Sequence, residues 1–265
     1  MAAVPNQSNY GSPLPGRPAW RWLVLPLSLI AGVALWEALV RLNHFPAFIL
    51  PLPGLVWQRF VTLLASGDLL WHISVTLGEV LGGLGLGLLV ATALGYLIAK
   101  SPGLDRALTP YLVASQAVPI VAIAPLLVIW FGSGLRSKVL ICALIVFFPI
   151  LINTVAGLRS VEPDLHELMR SLRATRWQMF AKLDVPAALP VWLAGLKVGA
   201  TLAVIGAVVG ELVGADRGLG FLINFGRGQY DMALVFVAVM ALVAIALALY
   251  GLVSLLEHWL LAWKN

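Results

Sequence analysis

The chain has 265 residues, of which 61% are hydrophobic and only 11% are charged, and its mean hydropathy is +0.96. A soluble domain carries roughly 25% charged residues, so this composition excludes one and indicates a membrane protein. The single cysteine, Cys142, excludes an internal disulfide framework. The net charge of +5 comes without any long Lys/Arg run, so the sequence predicts no nucleic-acid partner.

Residues 1–19 are rich in Pro, Gly, Ser and Asn and are predicted to form a disordered leader. The rest, residues 20–265, is predicted to be one membrane-spanning domain that is all-α, because lipid leaves unpaired backbone groups without partners. A helix needs about 20 apolar residues to cross a bilayer. Six stretches meet this requirement: Trp20–Val40, Ile73–Ala99, Leu108–Phe131, Val139–Leu158, Ala187–Gly214 and Ala233–Leu261.

The connections between these spans predict the orientation of the chain. With the N-terminus in the cytoplasm, the inner segments hold ten Lys and Arg residues and the outer segments hold six. This places the leader and residues 159–184 in the cytoplasm. Residues 43–70 are then on the outer side, where Val56 and Phe60 at helical spacing predict an interfacial segment.

The predicted cytoplasmic loop contains an amphipathic helix. Asp164 is a suitable N-cap, and Glu167 follows three residues later, as in a capping box. Leu165, Leu168, Met169 and Leu172 form one apolar stripe at i, i+3, i+4 and i+7. Such a helix either lies on the membrane surface or docks into a groove of a partner.

The same loop resembles the signature of binding-protein-dependent ABC permeases, which is Glu-Ala-Ala, three residues, Gly, nine residues and Ile-x-Leu-Pro. The matching positions are Glu167, Leu168, Met169, Arg173, Leu183, Val185 and Pro186. Two larger apolar residues replace the alanines, and Arg173 replaces the glycine. Because Arg does not adopt a glycine turn cheaply, we expect either a longer helix or an ionic contact of Arg173 with the partner.

Three further segments look like the importer branch for sulfonates, taurine, nitrate, bicarbonate, thiamine precursors and flavins. They are Gln116–Lys138, Phe147–Gly157 and Gly210–Gly220. The resemblance implies a type I ABC importer permease fold in a bacterial inner membrane. It also implies a second copy of the chain, two cytoplasmic ATPase subunits, an extracytoplasmic solute-binding protein and surrounding lipid.

No G-x-x-x-x-G-K-[ST] phosphate loop occurs in the chain. The segment Gly132–Lys138 has the wrong spacing for one. We therefore expect no enzyme activity and no cofactor in this chain, with ATP and Mg²⁺ bound by the partner ATPase. The four histidines have no ligand spacing, so no metal site is predicted.

Polar and irregular residues within the third and fourth spans are candidates to line a translocation path. They are Gln116, Pro119, Trp130, Phe147, Asn153 and Thr154. The glycine pairs Gly78–Gly82 and Gly83–Gly87 predict close helix packing in the second span. Lys197 and Glu211 lie about 21 Å apart along one helix and are predicted not to pair.

Two other classes of function compete with the importer. A secondary transporter or channel would need an ion relay, indicated by a half-length repeat or paired carboxylates, and an intramembrane enzyme would need a nucleophile–base pair or a metal motif. None of these patterns is visible in the sequence. The predicted cargo is a vitamin-type heterocycle, a thiamine pyrimidine precursor or riboflavin, with the small anions as the alternative.

Overall fold

A computed structural model describes residues 21–262, which are helical without any strand in that range. The all-α prediction is confirmed, and the predicted leader lies outside the described residues. A single π-helical turn, Phe180–Asp184, joins two of the helices. The helices are α1 (Arg21–Leu42), α2 (Pro53–Ala65), α3 (Asp68–Lys100), α4 (Pro102–Gln116), α5 (Ile120–Phe131), α6 (Leu135–Arg159), α7 (Pro163–Ser171), α8 (Arg176–Met179), α9 (Val185–Gly214), α10 (Leu219–Gly228) and α11 (Met232–Leu260).

Within the described range, four helical stretches are long and apolar enough to cross a membrane: α3, α6, Arg176–Gly214 and α11. The pair α4 and α5 also meets the test when taken together, which makes five. Helix α1 occupies the first predicted span from residue 21 onward, and its 22 residues give a length of about 33 Å.

The third predicted span, Leu108–Phe131, is wrong as one continuous helix. Helices α4 and α5 meet at an angle of 94°. The break lies at Ala117–Pro119, because proline has no N–H for the helix and disfavours helical geometry at the residue before it.

Helix α6 lies at the centre of the structure, between α3 and α9. Glycines on both neighbours allow this close packing: a Cβ on Gly83 would lie 2.0 Å from Cys142 Cβ, and one on Gly206 would lie 2.7 Å from Cys142 Cα. The predicted packing role of Gly83 and Gly87 is confirmed. Gly78 faces open space instead, so the Gly78–Gly82 pair is not a packing motif.

The bundle has two ends that differ in their elements. Helices α7 and α8 are at one end, here called the α7 end, and α2 and α10 are at the other, called the α10 end. Helix α3 runs between the two ends, since His72 contacts Gly218 at the α10 end and Lys100 contacts Asp184 at the α7 end.

The segment predicted as interfacial, residues 43–70, contains α2 and the first turn of α3. Val56 and Leu63 of α2 are buried against the bundle. Arg59 of α2 forms an ion pair of 2.8 Å with Asp231, the residue just before α11. Helix α2 is therefore fixed to the α10 end by packing and by charge.

Candidate coupling site

Helix α7 has no buried residue, although the predicted apolar stripe consists of Leu165, Leu168 and Met169 of this helix and the C-cap residue Leu172. Leu165, Leu168 and Leu172 are 41%, 54% and 68% exposed. Large exposed apolar side chains on one helix face are typical of a surface that a partner covers. The predicted stripe is therefore present and uncovered in the single chain.

The start of α7 differs from the prediction. Its N-cap is Glu162, and no side chain caps the helix, so Asp164 lies in the first turn and not at the cap. Pro163 at the first helical position explains the shift, because its fixed φ suits a helix start. The Asp164 carboxylate still lies where the positive end of the helix dipole favours an anion.

The end of α7 is a glycine-type turn made by an arginine. Helix α7 stops at Ser171, and Arg173 adopts a φ of +54°. The expectation that the helix would continue further is wrong. Backbone hydrogen bonds from Arg173 to Arg170 (2.9 Å) and from Ala174 to Met169 (2.9 Å) close the turn. These bonds impose a left-handed conformation that costs a non-glycine residue about 1–2 kcal/mol.

A capping box that the sequence analysis missed starts α8. The Thr175 hydroxyl accepts from the Gln178 N–H at 3.2 Å, and the Gln178 side chain accepts from the Thr175 N–H at 2.8 Å. The Thr-x-x-Gln spacing is a readable signal for this start. It divides the loop into two short helices, as a glycine at position 173 would have predicted.

The end of the loop signature, Leu183, Val185 and Pro186, lies where the π-helical turn meets α9. Proline cannot donate to the carbonyl four residues earlier, so a tight α-helix is unfavourable at this point. A π turn accommodates the missing donor.

A buried carboxylate joins three elements beside this turn. Asp184 is 2% exposed. Its Oδ2 accepts from Lys100 Nζ at the end of α3 at 2.6 Å, and its Oδ1 lies 3.0 Å from His166 Nε2 of α7. Neither Asp184 nor His166 was singled out from the sequence, because the pairing is remote along the chain.

A cavity of about 680 Å³ lies next to the loop, between α3, α6 and the start of α9. Four aromatic side chains line it: Tyr96, Trp177, Phe180 and Trp192. Thr154, a predicted path residue, lines it as well, and Trp192 donates to Thr92 at 3.0 Å. The lining of the cavity is therefore largely apolar, with the hydroxyl groups of Thr92 and Thr154 and the charged Arg176 among it.

The structure does not bring the other predicted path residues together with Thr154. Asn153 faces Gly195 of α9, and Gln116 and Pro119 flank the bend between α4 and α5. Trp130 is 69% exposed near the end of α5. Phe147 stacks edge-on against Phe148.

A second set of polar contacts, which the sequence analysis did not predict, lies at the α10 end. Lys138 and Glu79 form an ion pair of 3.1 Å, with side chains only 3% and 2% exposed. Glu211 accepts from Thr76 at 2.6 Å and from the backbone N–H of Gly220. Lys138, assigned to an outer connection from the sequence, is thus buried and paired.

The separation of Lys197 and Glu211 is confirmed, since each has another partner. Lys197 pairs with Glu257 of α11 and lies 5.7 Å from the ring centroid of Tyr250. Lys197 is therefore paired with a carboxylate of α11, whereas Glu211 is hydrogen-bonded to α3 and α10.

Comparison with known proteins assigns this arrangement to a family. Residues 83–261 match the model of the binding-protein-dependent transport system inner membrane component. The chain belongs to this family. It is the membrane-spanning permease subunit of an ABC importer, in which ATP hydrolysis resides in separate subunits.

Named relatives of the permease cover nearly its whole length. It is 49% identical over 245 residues to the riboflavin transport system permease protein of Chloroflexus aurantiacus, covering 92% of this chain and 91% of that protein. It is 37% identical to the formylaminopyrimidine transport permease protein of Halalkalibacterium halodurans, covering 88% and 92%. It is 31% identical to the taurine transport system permease protein of Escherichia coli, covering 87% and 88%.

The fold of the permease is similar to that of the inward-facing MetNI methionine ABC transporter. The TM-score is 0.65 at 19% identity, covering 74% of this chain and 97% of that chain. The predicted type I importer permease fold is confirmed. A permease of this fold works in a complex with ATPase and binding-protein partners.

Proposed function

We propose that this permease forms the translocation path for a flat vitamin-type heterocycle, riboflavin in the first place and a thiamine pyrimidine precursor in the second. The observation that carries the proposal is the 49% identity with a riboflavin permease, against 37% and 31% for the formylaminopyrimidine and taurine permeases. The small anions represented by the taurine relative are the alternative cargo.

The cavity beside the loop supports a flat cargo. Its four aromatic side chains offer ring faces on which a heterocycle stacks, at about 0.5–1.5 kcal/mol for each favourable pair. The lining of Thr92 and Thr154 supplies hydroxyl groups that orient a polar ring edge. Arg176 is the one charged residue among the described residues of this lining, so a small anion would meet a single cation and otherwise mostly apolar side chains.

The proposal includes the orientation of the chain in the membrane and the identity of its partner subunits. The α7 end faces the cytoplasm, with the N-terminus on the same side, and α2 and α10 face outward. Two copies of the permease bind two ATPase subunits through α7, and the ATPases hold ATP and Mg²⁺. A solute-binding protein delivers the cargo at the α10 end, and lipid surrounds the apolar outer surface.

Substrate is tested first on the solute-binding protein that accompanies this permease. A ligand at 100 times its Kd stabilises its protein by about 2.7 kcal/mol, which a thermal-shift panel resolves. The panel contains riboflavin, formylaminopyrimidine, taurine, alkanesulfonates and nitrate. Stabilisation by riboflavin or the pyrimidine supports the vitamin proposal, and stabilisation by the anions alone refutes it.

The docking role of α7 is tested with Leu168→Asp, which places a charge in the exposed stripe. We expect the ATPase to stop co-purifying, because an unpaired carboxylate in a buried apolar contact is strongly unfavourable. Ser171→Asp is the matched control, since Ser171 is exposed on the same helix but outside the stripe. Equal co-purification of the ATPase with both variants would contradict docking through the stripe.

The class of transporter is tested with purified permease in liposomes. Uptake should require the ATPase, internal ATP and the solute-binding protein. Uptake by the permease alone, driven by a pH gradient, would show a secondary transporter instead.

A further inference from the structure

Helix α7 is held to the rest of the chain by few contacts. It has no buried residue, and none of the helices in residues 21–262 packs broadly against it. Within residues 21–262, the hydrogen bond of His166 is the one by which a side chain of α7 contacts another element. The position of α7 relative to the bundle therefore depends strongly on the partner of His166.

That partner, Asp184, is placed to connect several elements. It ends the π-helical turn and directly precedes α9. One carboxylate oxygen contacts His166 and the other accepts from Lys100, the last residue of α3. A carboxylate that is 2% exposed is costly to leave unpaired, so these contacts hold α3, α7 and the start of α9 together.

We propose that Asp184 is the positioning residue that transmits movement of α7 to the membrane-spanning helices α3 and α9, with His166 and Lys100 as its two connections. The proposal rests on the proposed function, in which the ATPase moves α7. When α7 shifts, the His166–Asp184 contact displaces the first turn of α9 and, through Lys100, the end of α3.

A second ion pair at the same end provides the comparison. Arg159 at the end of α6 pairs with Asp105 of α4 at 2.9 Å. This pair lies near the loop but does not include α7. Loss of this pair should therefore leave the transmission intact, although one carboxylate charge is removed in either case.

The experiment measures cargo taken up per ATP hydrolysed, in proteoliposomes that contain the complete transporter. The wild type is measured first, and lack of ATP-driven uptake there would refute the proposed function rather than this inference. Asp184→Asn and His166→Leu should lower the uptake per ATP about fivefold or more, the range of a typical coupling energy. ATP hydrolysis and ATPase co-purification should persist.

Two controls separate transmission from a general structural role. His166→Gln keeps an amide donor near the position of Nε2 and should restore the ratio, and Asp105→Asn should keep it within about twofold, as for an exposed ion pair. An unchanged ratio in His166→Leu would overturn the inference. Loss of ATPase co-purification in His166→Leu would also overturn it, because His166 would then position α7 for docking instead. If Asp184→Asn fails to fold, His166→Leu decides the question, since that side chain is 23% exposed.

Discussion

The buried ion pair between Lys138 and Glu79 allows a quantitative test of the packing at the α10 end. Their side chains are 3% and 2% exposed, so the pair has almost no contact with solvent. Lys138→Met keeps most of the side-chain volume, which matters because Lys138 Cγ lies 3.1 Å from the position of a Cβ on Gly210, but it removes the charge.

We expect Lys138→Met to destabilise the permease by about 3–5 kcal/mol, the cost of leaving one charge of a buried pair without its partner. The double variant Lys138→Met with Glu79→Met removes both charges, so it should recover most of this loss. The exposed pair of Arg41 and Glu37, with side chains 69% and 42% exposed, supplies the control. Arg41→Met should cost less than about 1 kcal/mol.

The protein contains its own reporter for this measurement. Cys142 is the single cysteine of the chain and is fully buried, so a fluorogenic maleimide reacts with it only when the bundle opens. Thermal unfolding of the purified permease is followed by this reaction and, independently, by tryptophan fluorescence. Agreement between the two unfolding midpoints shows that both probes follow unfolding of the whole bundle and not only local opening of α6 near Lys138.

Charge compensation by Lys138 predicts a specific order of melting temperatures among the variants. Lys138→Met should melt lowest, the double variant should lie between it and the wild type, and Arg41→Met should be close to the wild type. If Lys138→Met and Arg41→Met had equal midpoints, or the double variant were less stable than Lys138→Met, charge compensation would not be the role of Lys138.

Two further predictions use the same unfolding assay. Gly83→Ala should destabilise the permease by about 1–3 kcal/mol through overpacking, because the new Cβ would lie 2.0 Å from Cys142 Cβ. A Cβ on Gly85 of the same helix meets nothing within 4 Å, so Gly85→Ala should not destabilise. Equal losses of stability in the two variants would contradict the packing of α3 on α6. Arg173→Gly should raise the stability by up to about 1 kcal/mol, because glycine adopts the φ of +54° without steric cost. The cargo taken up per ATP hydrolysed should be preserved in this variant. A lower ratio would show that the Arg173 side chain contacts the ATPase.

Local patterns predicted the parts of the fold that depend on neighbouring residues. Hydrophobic length located α3, α6, α9 and α11, and helical spacing located the exposed stripe of α7. The bend between α4 and α5 was missed although Pro119 was noted, because average hydropathy over Leu108–Phe131 does not register a broken hydrogen-bond ladder. The turn at Arg173 was missed because the backbone hydrogen bonds that close the turn outweigh the preference of an arginine for a negative φ.

The buried polar contacts could not be predicted from a single sequence, because their partners are remote. Thr76 and Glu211 are 135 residues apart, and Lys100 and Asp184 are 84 apart. From the sequence, Glu211 was treated as an intramembrane charge, and neither Thr76 nor Asp184 was singled out. Only the packing of α3, α6 and α9 shows which of these residues are partners.

The two carboxylates Asp184 and Glu211 lie at opposite ends of α9, and both connect it to α3. Asp184 contacts Lys100 at the α7 end, and Glu211 contacts Thr76 at the α10 end. Because α6 also packs tightly between α3 and α9, these three helices should move as one unit. Helix α4 has no buried residue and contacts α6 through the exposed ion pair of Asp105 and Arg159, so we expect it to be less firmly attached to this unit, and its exposed surface is available to the proposed second copy. A shift applied to α7 would therefore move α3, α6 and α9 together rather than one helix alone. The bend between α4 and α5 is the place where the chain can adjust to movement of this unit relative to α4.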